Sequence, residues 1–119
     1  MMARQLAKVL AVLAILAPLT LMLGPFGAVE AGAGVSDKIG HFVAFAVIMT
    51  ALRILAPRRP LWILAALSLA IGVAVELIQG QIGRDADIMD VAADGVGIAA
   101  AWACLAFASV RRAWLATRP

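Results

Sequence analysis

Six of the seven acidic residues of this chain, together with its one histidine, fall into three short segments of the sequence. Asp37 and His41 stand four residues apart in the first segment, Glu76 lies in the second, and Asp90 and Asp94 follow in the third. Imidazole and carboxylate groups that meet in space can transfer protons or hold a divalent metal ion. The three segments supply the candidate binding residues, which are Asp37, Lys38, His41, Glu76, Gln79, Arg84, Asp87, Asp90 and Asp94.

Two kinds of chemistry can be assigned to subsets of these residues. The candidates for acid–base catalysis are His41, Glu76 and Asp90. The candidates for a divalent-cation site are the same three residues and Asp94, and such oxygen-rich ligands favour Mg²⁺, Ca²⁺ or Mn²⁺. A serine nucleophile is not favoured, because Ser36 lies in a glycine-rich segment just before a predicted helix and is interpreted as its cap.

The same residues also have purely structural interpretations. Asp87, with Asp90 three residues later, is typical of a helix N-cap, and Lys38 or Arg84 could simply neutralise neighbouring carboxylates. Taken together, however, the three segments hold six carboxylates against two fixed cations. Because a purely structural network would be closer to neutral, the imbalance favours a functional pocket.

The composition indicates that these polar segments belong to a membrane protein. Of the 119 residues, 65% are hydrophobic and 14% are charged, whereas soluble domains carry about 25% charged residues. The formal net charge of +3 does not indicate nucleic-acid binding, because the basic residues lie at the ends of apolar segments, where they act as topology signals. Cys104 is the one cysteine, which excludes an intramolecular disulfide and a cysteine-based metal site.

Four apolar segments are long enough to cross a bilayer, which takes about 20 residues each. The predicted helices span about 6–23, 38–56, 61–80 and 88–110. Pro57 is predicted to end the second helix, Gly80 the third and Arg111 the fourth. The predicted fold is therefore all-α, a single membrane domain over 1–119 built as a bundle of four transmembrane helices.

The distribution of basic residues predicts that both termini face the cytoplasm. Eight of the ten lysines and arginines lie at one end of the predicted spans, and only Lys38 and Arg84 lie at the other. Because basic residues concentrate on the cytoplasmic side of membrane proteins, the connections at 24–36 and 81–87 are predicted to face outward.

The first span has an alternative interpretation as a cleaved signal peptide. Arg4 and Lys8 precede its apolar segment, and the sequence at 31–33 resembles a signal-peptidase site. The intact mass of the purified protein distinguishes the two interpretations, since a mature chain that starts at Gly34 would exclude the four-span prediction.

Helical spacing places the acidic residues of the last segment on one face. Asp87, Asp90 and Asp94 are spaced i, i+3, i+7, and the same stripe continues as Gly97 and Ala101. Small residues let helices approach closely, so this face is predicted to point into the bundle. At a rise of about 1.5 Å per residue, Asp94 lies roughly 10 Å along the helix from its start. A carboxylate at that depth needs a partner, a proton or a water-filled pocket.

Three sequence elements resemble the VanZ-like family of small bacterial membrane proteins. The segment DKIGHF at 37–42, followed by Phe45, resembles the family's D-K-x-x-H-F-x-x-[FY] opening. The segment ELIQ at 76–79 resembles its E-x-x-Q element, and GRDADIMD at 83–90 resembles its G-R-x-x-[DS]-x-x-D element. The resemblance covers about 36–100. Asp94 departs from it, because the family usually has an asparagine there, which can donate a hydrogen bond as well as accept one.

The resemblance implies a protein of the bacterial cell envelope, because the family's namesake is an accessory protein of teicoplanin resistance. It implies the inner membrane as the location and no particular reaction. The first functional hypothesis is an outward-facing pocket that binds a lipid headgroup, an envelope precursor or a glycopeptide-related ligand. The alternative is a membrane enzyme that uses His41, Glu76 and aspartates on a lipid-linked or peptidoglycan-related substrate.

Two further properties are only weakly constrained by the sequence. Ion transport by one chain is not favoured, because the inner half of the predicted bundle lacks a polar path that matches the outer one, with only Arg53 near the inner end. Membrane lipids are expected partners, whereas the oligomeric state is open, since small-residue faces permit a dimer without requiring one.

Overall fold

A computed structural model describes residues 1–24, 37–83 and 86–118 of the chain. Within these ranges the chain forms four helices and no strand: α1 is Met2–Leu23, α2 is Asp37–Leu55, α3 is Leu61–Gln81 and α4 is Ile88–Ala116. Each helix is long and apolar enough to cross a membrane. The prediction of an all-α fold with four potential membrane spans is confirmed.

The helix ends follow from local sequence. The connection between α2 and α3 holds Pro57 and Pro60, and Pro60 is the N-cap residue of α3, where its missing N–H costs nothing. After α3 the chain turns at Gly83, whose φ of +80° lies in the left-handed region that glycine adopts most easily. Asp87 is the N-cap of α4, and its carboxylate accepts a hydrogen bond from the backbone N–H of Met89.

Two helix boundaries differ from the sequence prediction. Helix α1 begins at Met2 and not near 6, and α4 continues past Arg111 to Ala116. Arginine is a good helix former, so a pair of arginines marks where apolar character ends and not where helical hydrogen bonding ends. With 29 residues, α4 is roughly 43 Å long and exceeds the hydrocarbon thickness of about 30 Å.

Helix α2 supplies the centre of the bundle. Its Phe45, Ile48 and Met49 are fully buried, and α2 makes its most extensive contact with α4. This contact is close because Gly97 of α4 lies directly against the backbone of α2 at Phe42. Outward-pointing apolar side chains cover the outside of all four helices, as expected for a surface in contact with lipid. The close α2–α4 crossing brings the polar ends of these two helices together.

Candidate functional site

Six polar side chains form one connected group where α2 and α4 begin and α3 ends. This group, the His41 cluster, consists of Lys38, His41, Glu76, Asp87, Asp90 and Asp94. All six are among the residues that the sequence singled out. Arg84, the remaining charged candidate, lies outside the described residues, as does Ser36.

The innermost contact of the cluster joins His41 to Asp94. The His41 Nδ1 atom lies 2.8 Å from Asp94 Oδ1, and the two residues are 2% and 0% exposed. When the Asp94 carboxylate is ionised it can only accept a hydrogen bond, and the tautomer assigned to His41 then carries the hydrogen on Nδ1. The Nε2 atom of the neutral ring then keeps a lone pair, which makes it the atom able to accept a proton or bind a metal.

Glu76 faces this free nitrogen from α3. Its Oε2 atom accepts a hydrogen bond of 3.0 Å from the backbone N–H of Asp87, which holds the carboxylate in place. Its Oε1 atom lies 3.9 Å from His41 Nε2, too far for a hydrogen bond. Asp94, His41 and Glu76 therefore form a line across three helices, with a gap between the last two.

Two buried carboxylate oxygens of the described residues have no hydrogen-bond partner, and both belong to this line: Glu76 Oε1 and Asp94 Oδ2. Asp94 Oδ2 lies against Gly72 of α3, 2.5 Å from the position that a Cβ atom would take there. Sequence analysis did not identify Gly72, although a glycine inside an apolar helix often marks a close approach. Buried oxygens without a protein partner are uncommon, and a water molecule, a proton or a bound ion or ligand can satisfy them.

The outer rim of the cluster is an ion-pair network around Lys38. Its Nζ atom lies 2.8 Å from Asp87 Oδ2 and 3.1 Å from Asp90 Oδ1. Asp90 is buried, whereas Lys38 and Asp87 are both partly exposed. The Lys38 ammonium is therefore already neutralised by carboxylates and is not free for an anionic ligand.

Gln79 takes a different place from the one expected for a binding residue. It is buried, and its side-chain amide donates a 2.9 Å hydrogen bond to the backbone carbonyl of Met22 in α1. This bond ties α1 to the polar end of α3. The sequence of α1 gives no signal for it, because the acceptor is a main-chain carbonyl that any residue would supply.

Asp37 adds an exposed carboxylate beside the cluster. One ligand atom from each of Asp37, His41 and Asp90 lies within 4.8 Å of the others, a spacing compatible with a shared metal ion. The grouping differs from the predicted set of His41, Glu76, Asp90 and Asp94. Asp94 already uses one oxygen to orient the ring of His41 and lies on the opposite side from Glu76.

The rim gives a testable pH dependence at Asp87. Hydrogen bonds from Lys38 and from the backbone N–H of Met89 lower the pKa of Asp87 below its ordinary value of 3.8. Because the pKa is lower in the folded protein, the ionised Asp87 carboxylate stabilises the fold, and this contribution is complete at pH values above 3.8. The contribution is lost as the pH falls through the lower pKa of the folded state. At neutral pH we expect the wild type to have a higher melting temperature than Asp87→Asn. In strong acid the two melting temperatures should be equal. Asparagine can still cap the helix, so Asp87→Asn removes only the charge. A difference in melting temperature that does not change with pH would contradict a contribution from that charge.

Comparison with protein-family models, curated proteins and solved structures found no match to this chain. The resemblance to the VanZ-like family thus remains a prediction that rests on the three sequence elements at 37–45, 76–79 and 83–90.

The charge of the site determines which ligands fit. The described residues contribute five carboxylates, those of the cluster and of Asp37, against the single ammonium group of Lys38, a formal net charge of −4 with His41 neutral. With Lys38 paired and two buried oxygens unpaired, the site offers acceptors and negative potential. A complementary ligand brings positive charge or hydrogen-bond donors.

Proposed function

We propose that this chain is a VanZ-like, multi-pass protein of the bacterial inner membrane whose His41 cluster binds a polar ligand at the outer surface. The ligand is a lipid headgroup, an envelope precursor or a glycopeptide-related molecule. The observation that carries the proposal is the buried line of Asp94, His41 and Glu76 with two carboxylate oxygens left unpaired. Unpaired buried acceptors are costly, about 1–3 kcal/mol each, and a bound donor removes that cost.

The chemistry of the cluster narrows the ligand class. Hydroxyl and ammonium groups donate to carboxylates, and both occur on sugar-containing and amine-containing headgroups. A headgroup recognised only through its phosphate is not favoured by the described residues, because Lys38 is engaged by Asp87 and Asp90. The proposed ligand therefore presents amines or hydroxyls to His41 and Glu76.

The proposed orientation places the cluster outside and both termini in the cytoplasm. It is supported by a basic cavity of about 860 Å³ at the other end of the bundle, whose lining includes Arg4, Lys8, Arg58 and Arg59. Positive charge on that side follows the positive-inside rule and suits anionic lipid headgroups. We expect a reporter that is active only in the cytoplasm to work when fused to the C-terminus. Activity of an export-dependent reporter at the same position would overturn the orientation.

A second candidate function is catalysis at His41. It is favoured by one observation, the hydrogen bond from His41 Nδ1 to Asp94, which orients the ring and leaves Nε2 as a base. Glu76, 3.9 Å from Nε2, would then share a proton with the ring across one bridging group of the substrate. The substrate would be lipid-linked or peptidoglycan-related and would enter from the membrane surface.

Analysis of lipids that co-purify with the protein tests the proposal. We expect the wild type, purified in mild detergent, to retain a headgroup-bearing species that Glu76→Gln and His41→Gln lose by about tenfold, the effect of removing one contact worth 1.4 kcal/mol. The matched control is Glu30→Gln, which changes the one acidic residue outside the three segments. Equal retention by all four proteins would overturn the proposal. Loss that only parallels lower abundance in the membrane would assign the cluster to stability.

The two candidate functions differ in what happens to the retained species. A binding protein returns the species unchanged after incubation. An enzyme converts it, whereas His41→Gln supplied with the same species leaves it unconverted. Conversion by His41→Gln at the wild-type rate would exclude catalysis at His41.

A further inference from the structure

We propose that the His41 cluster is a divalent-cation site in which Asp37, His41 and Asp90 are ligands and Glu76 lies opposite them. The inference rests on the proposed function of the same site, since the ion would share the site with the proposed ligand and supply the positive charge that its carboxylates lack. It differs from a general acidic patch, because particular ligand atoms on two helices converge on one position, and a carboxylate oxygen from a third helix lies beside His41.

The first observation is the spacing of the ligand atoms. One atom from each of Asp37, His41 and Asp90 lies within 4.8 Å of the others. Bonds of about 2.0–2.4 Å from nitrogen or oxygen to a divalent ion place two ligands at most roughly 4.8 Å apart across it. The three side chains come from two helices, so the fold and not local sequence brings them together.

The second observation is the free oxygen of Glu76. Glu76 is 6% exposed, and its Oε1 atom has no partner and lies 3.9 Å from His41 Nε2. A carboxylate oxygen and an imidazole nitrogen at this separation leave room for one bridging atom. Since the other oxygen of Glu76 is held by the backbone N–H of Asp87, the free oxygen is fixed toward the ring.

The third observation is the support behind His41. Histidines that bind metals almost always donate their second ring N–H to a carboxylate or carbonyl, which fixes the tautomer. Asp94 occupies that position at 2.8 Å and is fully buried. This assigns Asp94 to orienting the ligand, and it accounts for a fully buried aspartate inside α4.

The mixed ligand set determines the class of ion. Carboxylate oxygens suit Mg²⁺, Ca²⁺ and Mn²⁺, whereas imidazole suits later transition metals. Mn²⁺ accepts both kinds of ligand and is therefore the probe of choice. Lys38 pairs with Asp87 and with the proposed ligand Asp90, so the carboxylates of Asp37, Glu76 and Asp94 remain to balance the charge of the ion.

Binding of Mn²⁺ to the chelator-treated, detergent-purified protein tests the inference. The electron paramagnetic resonance signal of free Mn²⁺ falls when the ion binds, and its dependence on protein concentration gives the Kd. We expect one ion per chain for the wild type and at least about tenfold weaker binding for Asp37→Asn, the loss typical of a perturbed metal site. Asp37 is exposed at the start of α2, so its replacement leaves the core intact.

The matched control is Glu30→Gln, which also removes one carboxylate charge but changes the one acidic residue outside the three segments. We expect it to bind Mn²⁺ within about threefold of the wild type, a change worth under 1 kcal/mol. Absence of binding to the wild type, or equal weakening by both variants, would overturn the cation site. If the protein retains a headgroup in a way that depends on Glu76 but does not bind Mn²⁺, the cation site is refuted and the proposed function is not. Mn²⁺ binding without any retained headgroup would refute the proposed ligand and leave the cation site standing.

Discussion

Replacement of Gly97 by alanine is expected to destabilise the bundle and also to break the hydrogen bond between His41 and Asp94 in the His41 cluster. A Cβ atom at Gly97 would collide with the backbone carbonyl of Phe42 and come within 3.2 Å of the backbone N of Ala46. Backbone atoms cannot rotate away as a side chain can, so α2 and α4 must separate. Overpacking of this kind costs about 1–3 kcal/mol, occasionally more.

The same separation affects the cluster, because His41 precedes Phe42 on α2 and Asp94 is three residues before Gly97 on α4. Their 2.8 Å hydrogen bond spans the interface that the substitution opens. We therefore expect Gly97→Ala to lower the thermal midpoint in detergent and to weaken Mn²⁺ binding, although neither a ligand nor a charge is changed.

Gly95→Ala is the matched control for this prediction. The two glycines lie two residues apart in α4, and no described atom lies within 4 Å of a Cβ atom built at Gly95. Alanine is favoured over glycine inside a helix by about 0.5–1 kcal/mol, so Gly95→Ala should be neutral or stabilising. Equal midpoints for the two variants would contradict the packing argument, since both substitutions change helix propensity alike.

The helices were predictable because their signals are local. Stretches of about 20 apolar residues, prolines between α2 and α3, and an aspartate at the start of α4 each identify a helix or its end from neighbouring sequence alone. The end of α4 was placed too early, because Arg111 ends the apolar segment while the helix continues to Ala116. Hydropathy indicates which part of a helix can lie in lipid, but the helical hydrogen bonds of the backbone can continue beyond that part.

The membership of the cluster was also predictable, but its connections were not. Ionisable residues are rare in membrane spans, so His41, Glu76 and Asp94 could be identified by type and spacing. Which atoms meet depends on how α2, α3 and α4 cross, and the sequence does not state those crossings. Gln79 illustrates this: its position on the face of Glu76 suggested a ligand contact, yet its amide binds the backbone of α1.

Removal of His41 is expected to have the largest effect of any single change in the cluster. In His41→Ala both oxygens of Asp94 would lack a partner at a position with 0% exposure. Leaving a buried hydrogen-bonding group without its partner costs about 1–3 kcal/mol, and more when that group is charged. Unfolding in detergent, followed for His41→Ala, Asp94→Ala and the double variant, measures the effect and its origin.

The double variant shows whether the loss of stability comes from breaking the contact between His41 and Asp94. His41→Ala combined with Asp94→Ala leaves no unpaired carboxylate at position 94, so it should be more stable than the sum of the single losses implies, by about 1–3 kcal/mol. Ser68→Ala is the control for buried polarity as such: Ser68 is fully buried, but its hydroxyl bonds to the Leu64 carbonyl in its own helix. Its loss should cost about 1 kcal/mol or less. Additive losses for His41 and Asp94 would mean that the two residues stabilise the bundle independently, and Asp94 would then have no role in orienting the ring.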